Sequence, residues 1–203
     1  MAQRARDVFI NCPFDAAYKP LFYAITYAVI RSGFKPRSAL EADDGAEVRL
    51  LKIQTIIEQC RYGVHDLSRT EADGNPPLPR FNMPLELGIF LGARRFGGPD
   101  HAKKRALILD TQPHRYQRFI SDIAGQDIHS HGGRPARAIV EVATWLRMQS
   151  KSTTVPGGTQ IADEFRQFLI DLPAILSDRQ LGVAELTFGD FASLATAYID
   201  TVN

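Results

Sequence analysis

Short apolar runs alternate with amphipathic stretches through the first 150 residues, and this alternation limits the folds that the chain can adopt. The apolar runs have the length of strands, and the stretches between them repeat apolar residues at the spacing of a helix. Strands that alternate with helices form a parallel sheet covered on both faces, because each crossover needs a connecting element. We therefore predict a flavodoxin-like, doubly wound α/β fold with five parallel strands in the order 2-1-3-4-5. The predicted strands are residues 7–11, 34–40, 62–67, 104–110 and 127–129.

Helices are predicted between these strands and after the last one. They cover residues 16–32 and 46–60, a segment that contains Glu86 and ends near Phe96, and then 115–123, 135–148, 159–176 and 188–201. Residues 150–158 are rich in Ser, Thr and Gly, which is a composition typical of linkers. We expect an α/β domain over residues 1–150 and a C-terminal helical hairpin over residues 159–203. The apolar stripes of the hairpin can pack on the α/β domain or on another subunit.

The composition excludes several classes of protein. The 24 basic and 23 acidic residues are interspersed and give a net charge of +1, so a nucleic-acid partner is not expected. The sequence has no apolar run of about 18 residues and no signal-peptide core, so no membrane association is expected and the cytoplasm is the default location. Cys12 and Cys60 fall at opposite edges of the predicted sheet, so no disulfide between them is expected.

Polar residues cluster in the two loops that the predicted topology brings to one crevice. In this strand order the crevice opens at the carboxyl ends of strands one and three, where the winding reverses. Each polar residue there has a structural alternative, such as an Asx turn, a turn cap, a helix N-cap or a solvated helix position. The candidate substrate-binding residues are Asn11, Asp15, Asp66, Asn82 and Arg49, the last as a phosphate ligand at the rim.

Glu86 is the candidate catalytic residue because it is a carboxylate inside an otherwise apolar helix start. Pro84 fits the first turn of a helix, where its missing N–H costs no hydrogen bond. A glutamate in that turn is favoured by the helix dipole, so we expect Glu86 to have a low pKa and to be ionised. The same position is equally typical of a structural, first-turn glutamate. His129 and His131 lack a third ligand at fixed spacing, so no metal is expected.

Residues 49–69, followed by Asn82-Met-Pro-Leu-Glu-Leu-Gly88, resemble the superfamily that joins Toll/interleukin-1 receptor (TIR) domains and nucleoside 2-deoxyribosyltransferases. The resemblance covers roughly residues 7–150. It implies that Glu86 attacks or stabilises an anomeric carbon and that Asp66 is a carboxylate on the substrate side. The transferases tend to have an acidic residue six positions before the glutamate. Arg80 occupies that position here, which favours cleavage of NAD over nucleoside transfer.

The function implied by the resemblance is a nucleotide N-glycosidase that cleaves the nicotinamide–ribose bond of NAD, with NAD as substrate and no cofactor. Nicotinamide is already a cationic leaving group in NAD, so one carboxylate suffices. Such domains often act as effectors in bacterial immune systems and commonly depend on self-association, which implies a homo-oligomer or an activating partner. A non-catalytic nucleotide-binding or assembly module and a nucleoside 2-deoxyribosyltransferase are the alternatives.

Overall fold

The computed structural model describes residues 4–41, 44–71 and 79–202. Its strands are β1 (Arg4–Asn11), β2 (Lys35–Arg37), β3 (Cys60–Asp66), β4 (Arg105–Asp110) and β5 (Ile128–Ser130). Its α-helices are α1 (Lys19–Arg31), α2 (Arg49–Gln59), α3 (Asn82–Phe96), α4 (Pro135–Ser150), α5 (Gly158–Ser177) and α6 (Phe188–Val202). Short 3₁₀ turns lie at His101–Lys103, Arg115–Arg118, Ser121–Ile123 and Val183–Glu185.

The strands form one parallel sheet in the order β2-β1-β3-β4-β5, which confirms the flavodoxin-like prediction. Asn11 is paired with His65 at the carboxyl ends of β1 and β3. Asp66 is paired with Leu109, one residue before the end of β4. The register therefore brings the ends of β1, β3 and β4 to one edge of the sheet, where the crevice was expected.

Helices cover both faces of the sheet. Along β1, Val8 and Ile10 belong to the core formed with α1 and α4, whereas Phe9 between them belongs to the core formed with α2 and α3. This alternation follows from the period of two in side-chain direction along a strand. Because both faces are covered, the strands carry nearly continuous apolar runs, which made them visible in the sequence.

The C-terminal helices α5 and α6 form a second layer on α1 and α4. Tyr23 of α1 stacks on Phe191 of α6 with ring centroids 4.0 Å apart, and Tyr27 stacks on Phe168 of α5 at 5.5 Å. Phe168 and Phe191 are fully buried, and each contributes roughly 1.5–3 kcal/mol through burial. The apolar stripes of the hairpin thus pack on the α/β domain, one of the two possibilities that the sequence left open.

Two predicted elements differ from the observed ones for local reasons. β2 has three residues rather than seven, because Pro36 cannot donate to the ladder and the chain turns at once, with the amide of Glu41 bonded to the carbonyl of Ser38. Residues 115–123 form two 3₁₀ turns rather than an α-helix. The second difference arises because Arg115 is buried and bonded to Asp110, which holds the chain against the end of β4.

Lys104 caps the C-terminal end of α2 from outside the helix. Its ammonium group is fully buried and donates to the carbonyls of Ile57 and Cys60, and it lies 5.1 Å from the ring centroid of Phe90. These carbonyls have no partners within the helix, and the negative end of the helix dipole favours a cation. Lys104 therefore fixes the end of α2 that lies farther from the crevice.

Two further expectations concern cysteines and membranes. Cys12 and Cys60 are both free, buried thiols; the first follows the carboxyl end of β1 and the second begins β3. Within the part of the chain that the structure describes, no helix is long and apolar enough to cross a membrane.

Candidate functional site

A cavity of about 390 Å³ opens at the carboxyl end of β1, between the loop that follows this strand and the N-terminal ends of α2 and α3. It combines Arg49, Asn82 and Glu86 of the predicted site residues. The complete lining is Cys12, Pro13, Phe14, Arg49, Pro79, Arg80, Phe81, Asn82, Met83 and Glu86. Its volume lies within the usual range for small-molecule sites.

Glu86 lies deeper in α3 than the sequence suggested. The helix begins at Asn82, and Phe81 is the N-cap residue, with no side-chain capping bond. Pro84 is therefore the third helical residue and costs no hydrogen bond, as expected, but Glu86 is the fifth and lies beyond the first turn. The residue is only 8% exposed, so Glu86 is neither a first-turn cap nor a solvated surface residue.

Burial raises the pKa of Glu86 to about 7, and the charge of Arg49 offsets this only in part. The expectation of a low pKa was wrong, because the loss of solvent outweighs the helix dipole once the residue is past the first turn. Among the described residues, the Glu86 carboxylate has no hydrogen-bond or ion-pair partner. Near neutral pH the site therefore contains both an ionised and a neutral form of one buried carboxyl group.

Asn11 positions α3 from the end of β1. Its side chain is 2% exposed, and Nδ2 donates to the carbonyl oxygen of Met83 at 2.8 Å. The same nitrogen lies 3.0 Å from Nδ1 of His65, which accepts its second hydrogen. Burial lowers the pKa of His65 to about 3, so this ring is neutral, as an acceptor must be. Asn11 thus joins three elements and does not itself line the cavity.

Asp15 organises the rim rather than the interior of the cavity. Its Oδ2 accepts from Nη1 of Arg80 at 2.7 Å and lies 3.2 Å from Nε of Arg69, while Oδ1 accepts from the amide of Tyr18 at 3.1 Å. These contacts join the loop after β1 to the two described ends of the segment between β3 and α3. Arg80 lines the cavity, whereas Asp15 is not among the lining residues.

Asp66 is fully buried in a hydrogen-bond network away from the cavity. It accepts from the hydroxyl of Tyr18 and from the amide of Ser68. Nε2 of His131 lies 2.9 Å from Oδ2, close enough for an ion pair although poorly aligned for a hydrogen bond. Burial alone would raise the pKa of Asp66, but the contacts with His131, Ser68 and Tyr18 together hold it below its usual value. This carboxylate holds the ends of β3 and β5 and the start of α1 together.

Cys12, Phe14, Arg80 and Phe81 also line the cavity, although none of them was a predicted site residue. Cys12 is 2% exposed, and burial together with the nearby acidic groups raises the pKa of its thiol well above the usual value. It therefore remains a neutral thiol and is a poor nucleophile. Phe14 and Phe81 are 37% and 63% exposed, which suits them to contact a ligand. These residues differ from other loop residues only in that their side chains border the cavity, and a sequence pattern does not specify the direction of a side chain.

The histidines of the His129-Ser-His131 segment have partners other than a metal. His129 Nδ1 lies 2.7 Å from the carboxylate of Glu141. The Nδ1 atom of His131 accepts from the amide of Gly133 at 3.0 Å, and its other nitrogen faces Asp66. Over residues 4–41, 44–71 and 79–202, no group of three or more His, Cys, Asp or Glu side chains is arranged to hold a metal ion.

Comparisons of the chain with protein-family models, with curated proteins and with solved structures found no match.

Proposed function

We propose that this protein is a nucleotide N-glycosidase that cleaves the nicotinamide–ribose bond of NAD, with Glu86 as its catalytic carboxylate. The observation that carries the proposal is the buried carboxyl group of Glu86, without a partner among the described residues, in a cavity at the crevice of a flavodoxin-like sheet. Buried charges are costly unless they are paired, and a carboxylate kept in this state is typical of a functional group.

The proposed reaction breaks the bond between C1′ of the ribose and N1 of nicotinamide. The bonding electron pair leaves with the pyridinium nitrogen, so nicotinamide departs as a neutral molecule and positive charge develops on the sugar. Ionised Glu86 stabilises this oxocarbenium-like centre or forms a covalent ester at C1′. Water then adds its oxygen to C1′ and releases one proton to solvent, and the second product is ADP-ribose.

The other lining groups favour a cationic leaving group. Arg49 and Arg80 do not release protons at neutral pH, and the raised pKa makes Cys12 a weak acid. A neutral nucleoside base would leave as an anion unless an acid protonated it, and nicotinamide needs no such acid. Apart from Glu86, which the reaction needs in its ionised form, the described lining residues include no suitable acid, and this argues against nucleoside 2-deoxyribosyl transfer.

The raised pKa of Glu86 also suits a cationic ligand. A pyridinium ring close to the carboxylate adds positive charge to that of Arg49, so binding of NAD favours the ionised form. Binding of the substrate therefore also converts Glu86 to the ionised form that reacts. A neutral base gives no such gain.

Self-association or a partner is part of this proposal. The lining residues Phe14 and Phe81 are exposed, and Leu85, which precedes the catalytic residue in α3, is 53% exposed. Exposed apolar groups around a site are typical of a surface that another molecule covers. Their position supports activity that rises with assembly, as the resemblance to TIR domains implies.

The test is incubation of the purified protein with NAD at high and low protein concentration, with release of nicotinamide followed by chromatography. Glu86→Gln keeps the size of the side chain and removes its charge, so we expect at least a 100-fold loss of release, on the order of the effect of removing a reacting group. Glu58→Gln is the matched control, because Glu58 is exposed on α2, and its activity is expected to equal that of the wild type.

A non-catalytic nucleotide-binding module is the second candidate, and one observation favours it. A carboxyl group with a pKa near 7 is partly neutral at physiological pH and can donate a hydrogen bond to a ligand. NAD that binds to the wild type without release of nicotinamide at any protein concentration would support this candidate. Exchange of bases between two nucleosides would instead indicate a deoxyribosyltransferase.

A further inference from the structure

We propose that Arg80 recognises the phosphate groups of the substrate by exchanging the carboxylate of Asp15 for a phosphate, and that this exchange selects nucleotides over nucleosides. The inference rests on the proposed function for the identity of the substrate and extends it to a residue that the sequence did not assign to binding.

Arg80 links the rim to the interior of the cavity. Its Nη1 donates to Asp15 Oδ2 at 2.7 Å, and the same side chain lines the cavity that contains Glu86. A guanidinium group has five N–H donors in a planar fork that matches the oxygens of a phosphate. An anion bound in the cavity would therefore meet the Arg80 side chain that lines it.

The contact with Asp15 is suited to exchange. The side chains of Arg80 and Asp15 are 34% and 23% exposed, so their attraction is screened by solvent and worth little. A phosphate diester or pyrophosphate offers charged oxygens that bind a guanidinium bidentately, and such bonds are stronger than a single contact. Asp15 then keeps Arg69 at 3.2 Å and the amide of Tyr18 as partners after the exchange.

A second arginine supports an anionic ligand. Arg49 is the first residue of α2 and lines the same cavity, where the N-terminal end of the helix also favours negative charge. Arg49 and Arg80 lie on separate segments that both border the site of Glu86. The same cavity thus contains positive groups that suit a phosphate and a carboxylate that suits the cationic nicotinamide ring.

Recognition of phosphate by Arg80 should let the protein discriminate between two substrates that contain the same scissile bond. NAD has a pyrophosphate next to the ribose, and nicotinamide riboside has a hydroxyl there. Loss of Arg80 should weaken recognition of the first and leave the second nearly unchanged.

The test measures binding of ADP-ribose by calorimetry, which requires no turnover, to the wild type, Arg80→Ala, Arg80→Lys and Asp15→Asn. We expect Arg80→Ala to weaken binding about tenfold or more, the usual effect of losing a charged hydrogen bond. Arg80→Lys should retain part of the affinity, because it keeps the charge without the fork. Asp15→Asn removes the competing charge and should tighten binding severalfold. Arg166→Ala, at an exposed position on α5, is the control, with affinity within about twofold of the wild type.

Circular dichroism shows whether each variant is folded, and the preference for NAD over nicotinamide riboside provides a second readout. Equal affinity of wild type and Arg80→Ala for ADP-ribose overturns the inference, as does failure of the wild type to bind it. If Asp15→Asn, in folded protein, weakens binding of ADP-ribose as much as Arg80→Ala does, the Asp15–Arg80 pair has a structural role, and this result also overturns the inference. Binding that depends on Arg80 without any release of nicotinamide supports the phosphate site and contradicts the proposed hydrolysis. Hydrolysis of NAD that Arg80→Ala leaves unchanged would support the proposed hydrolysis and contradict the phosphate site.

Discussion

Asn11 donates a hydrogen bond to the carbonyl oxygen of Met83 over 2.8 Å, so the last residue of β1 is bonded directly to the second residue of α3. The same amide nitrogen contacts His65 of β3. Glu86 follows Met83 by less than one helical turn, and its position therefore depends on a residue that does not line the cavity.

Removal of this bond should destabilise the protein. Asn11→Ala leaves Nδ1 of His65 buried without its donor and removes a second donor from the carbonyl of Met83, so we expect the free energy of unfolding to fall by about 1–3 kcal/mol. Urea denaturation followed by circular dichroism measures the loss. Asn82→Ala is the control, because Asn82 is exposed and caps nothing, and its effect should stay within about 0.5 kcal/mol. Equal stability of the two variants would show that the Asn11 bond contributes nothing.

The proposed hydrolysis should depend on the ionisation of Glu86. Because the reactive form is the carboxylate, kcat/KM for NAD is expected to rise with pH to a plateau, with a midpoint near the Glu86 pKa of about 7. The midpoint of kcat should lie lower, since the bound cationic ring favours ionisation. Initial rates between pH 5 and 9 test both statements. A kcat/KM that does not change between pH 5 and 8 would be incompatible with Glu86 as the nucleophile.

The same pKa predicts a pH dependence of stability. The pKa of Glu86 is about 7 in the folded protein and 4.5 in the unfolded chain. Between pH 4.5 and pH 7 the folded state therefore keeps a proton that the unfolded state has released. This contribution to stability is complete below pH 4.5 and disappears as the pH rises through 7. The wild type should lose at most about 3 kcal/mol relative to Glu86→Gln across this window.

Denaturation of both proteins at pH 4.5 and pH 8 makes the comparison, with Glu58→Gln as the exposed control. A stability difference between wild type and Glu86→Gln that is the same at both pH values would contradict the raised pKa.

Gly63 is required for the packing of His65 against Phe90. A Cβ atom at this position would lie 2.5 Å from Nε2 of His65 and 2.9 Å from the Phe90 ring, and neither ring can move freely in the buried core. Gly63→Ala should therefore lower the free energy of unfolding by about 1–3 kcal/mol. Gly88→Ala is the matched control in α3, since nothing lies within 4 Å of its added Cβ, and helix propensity predicts a gain of about 0.5–1 kcal/mol. Thermal denaturation that ranks the two variants in the reverse order would refute this account.

The fold was predictable because the sequence features that specify it, apolar runs for strands and helical spacing of apolar residues, are periodic and local. Buried strands show as apolar runs, and the predicted order already placed strand two at the edge of the sheet, where β2 with its Pro36 is found. The segment 115–123 was wrongly predicted to be an α-helix, because the contact of Arg115 with Asp110 determines its conformation. Such a contact cannot be derived from the spacing of residues in the sequence.

The candidate site was predictable only in part. Topology placed Glu86 at the crevice, Arg49 was proposed as a phosphate ligand at its rim, and both residues line the cavity. It could not separate them from Asp15 and Asp66, whose carboxylates are bonded within the fold, because the direction of a side chain depends on tertiary packing. The pKa of Glu86 was mispredicted for the same reason: the residue was assigned to the first turn of its helix, whereas it is the fifth residue of α3, and burial is not a local property.

The buried cap that Lys104 forms on α2 has a consequence for the evolution of the site. Arg49 begins α2 and Lys104 holds its other end, so the two basic residues are separated by a rigid rod of 11 residues, about 16 Å long. A shift of the helix along its axis at the anchored end moves the arginine by a similar distance. If the cavity binds the proposed substrate, selection for specificity can therefore act on residues around Lys104, at the opposite end of the strands from the cavity. Sequence drift there can then change recognition while every residue lining the cavity is preserved.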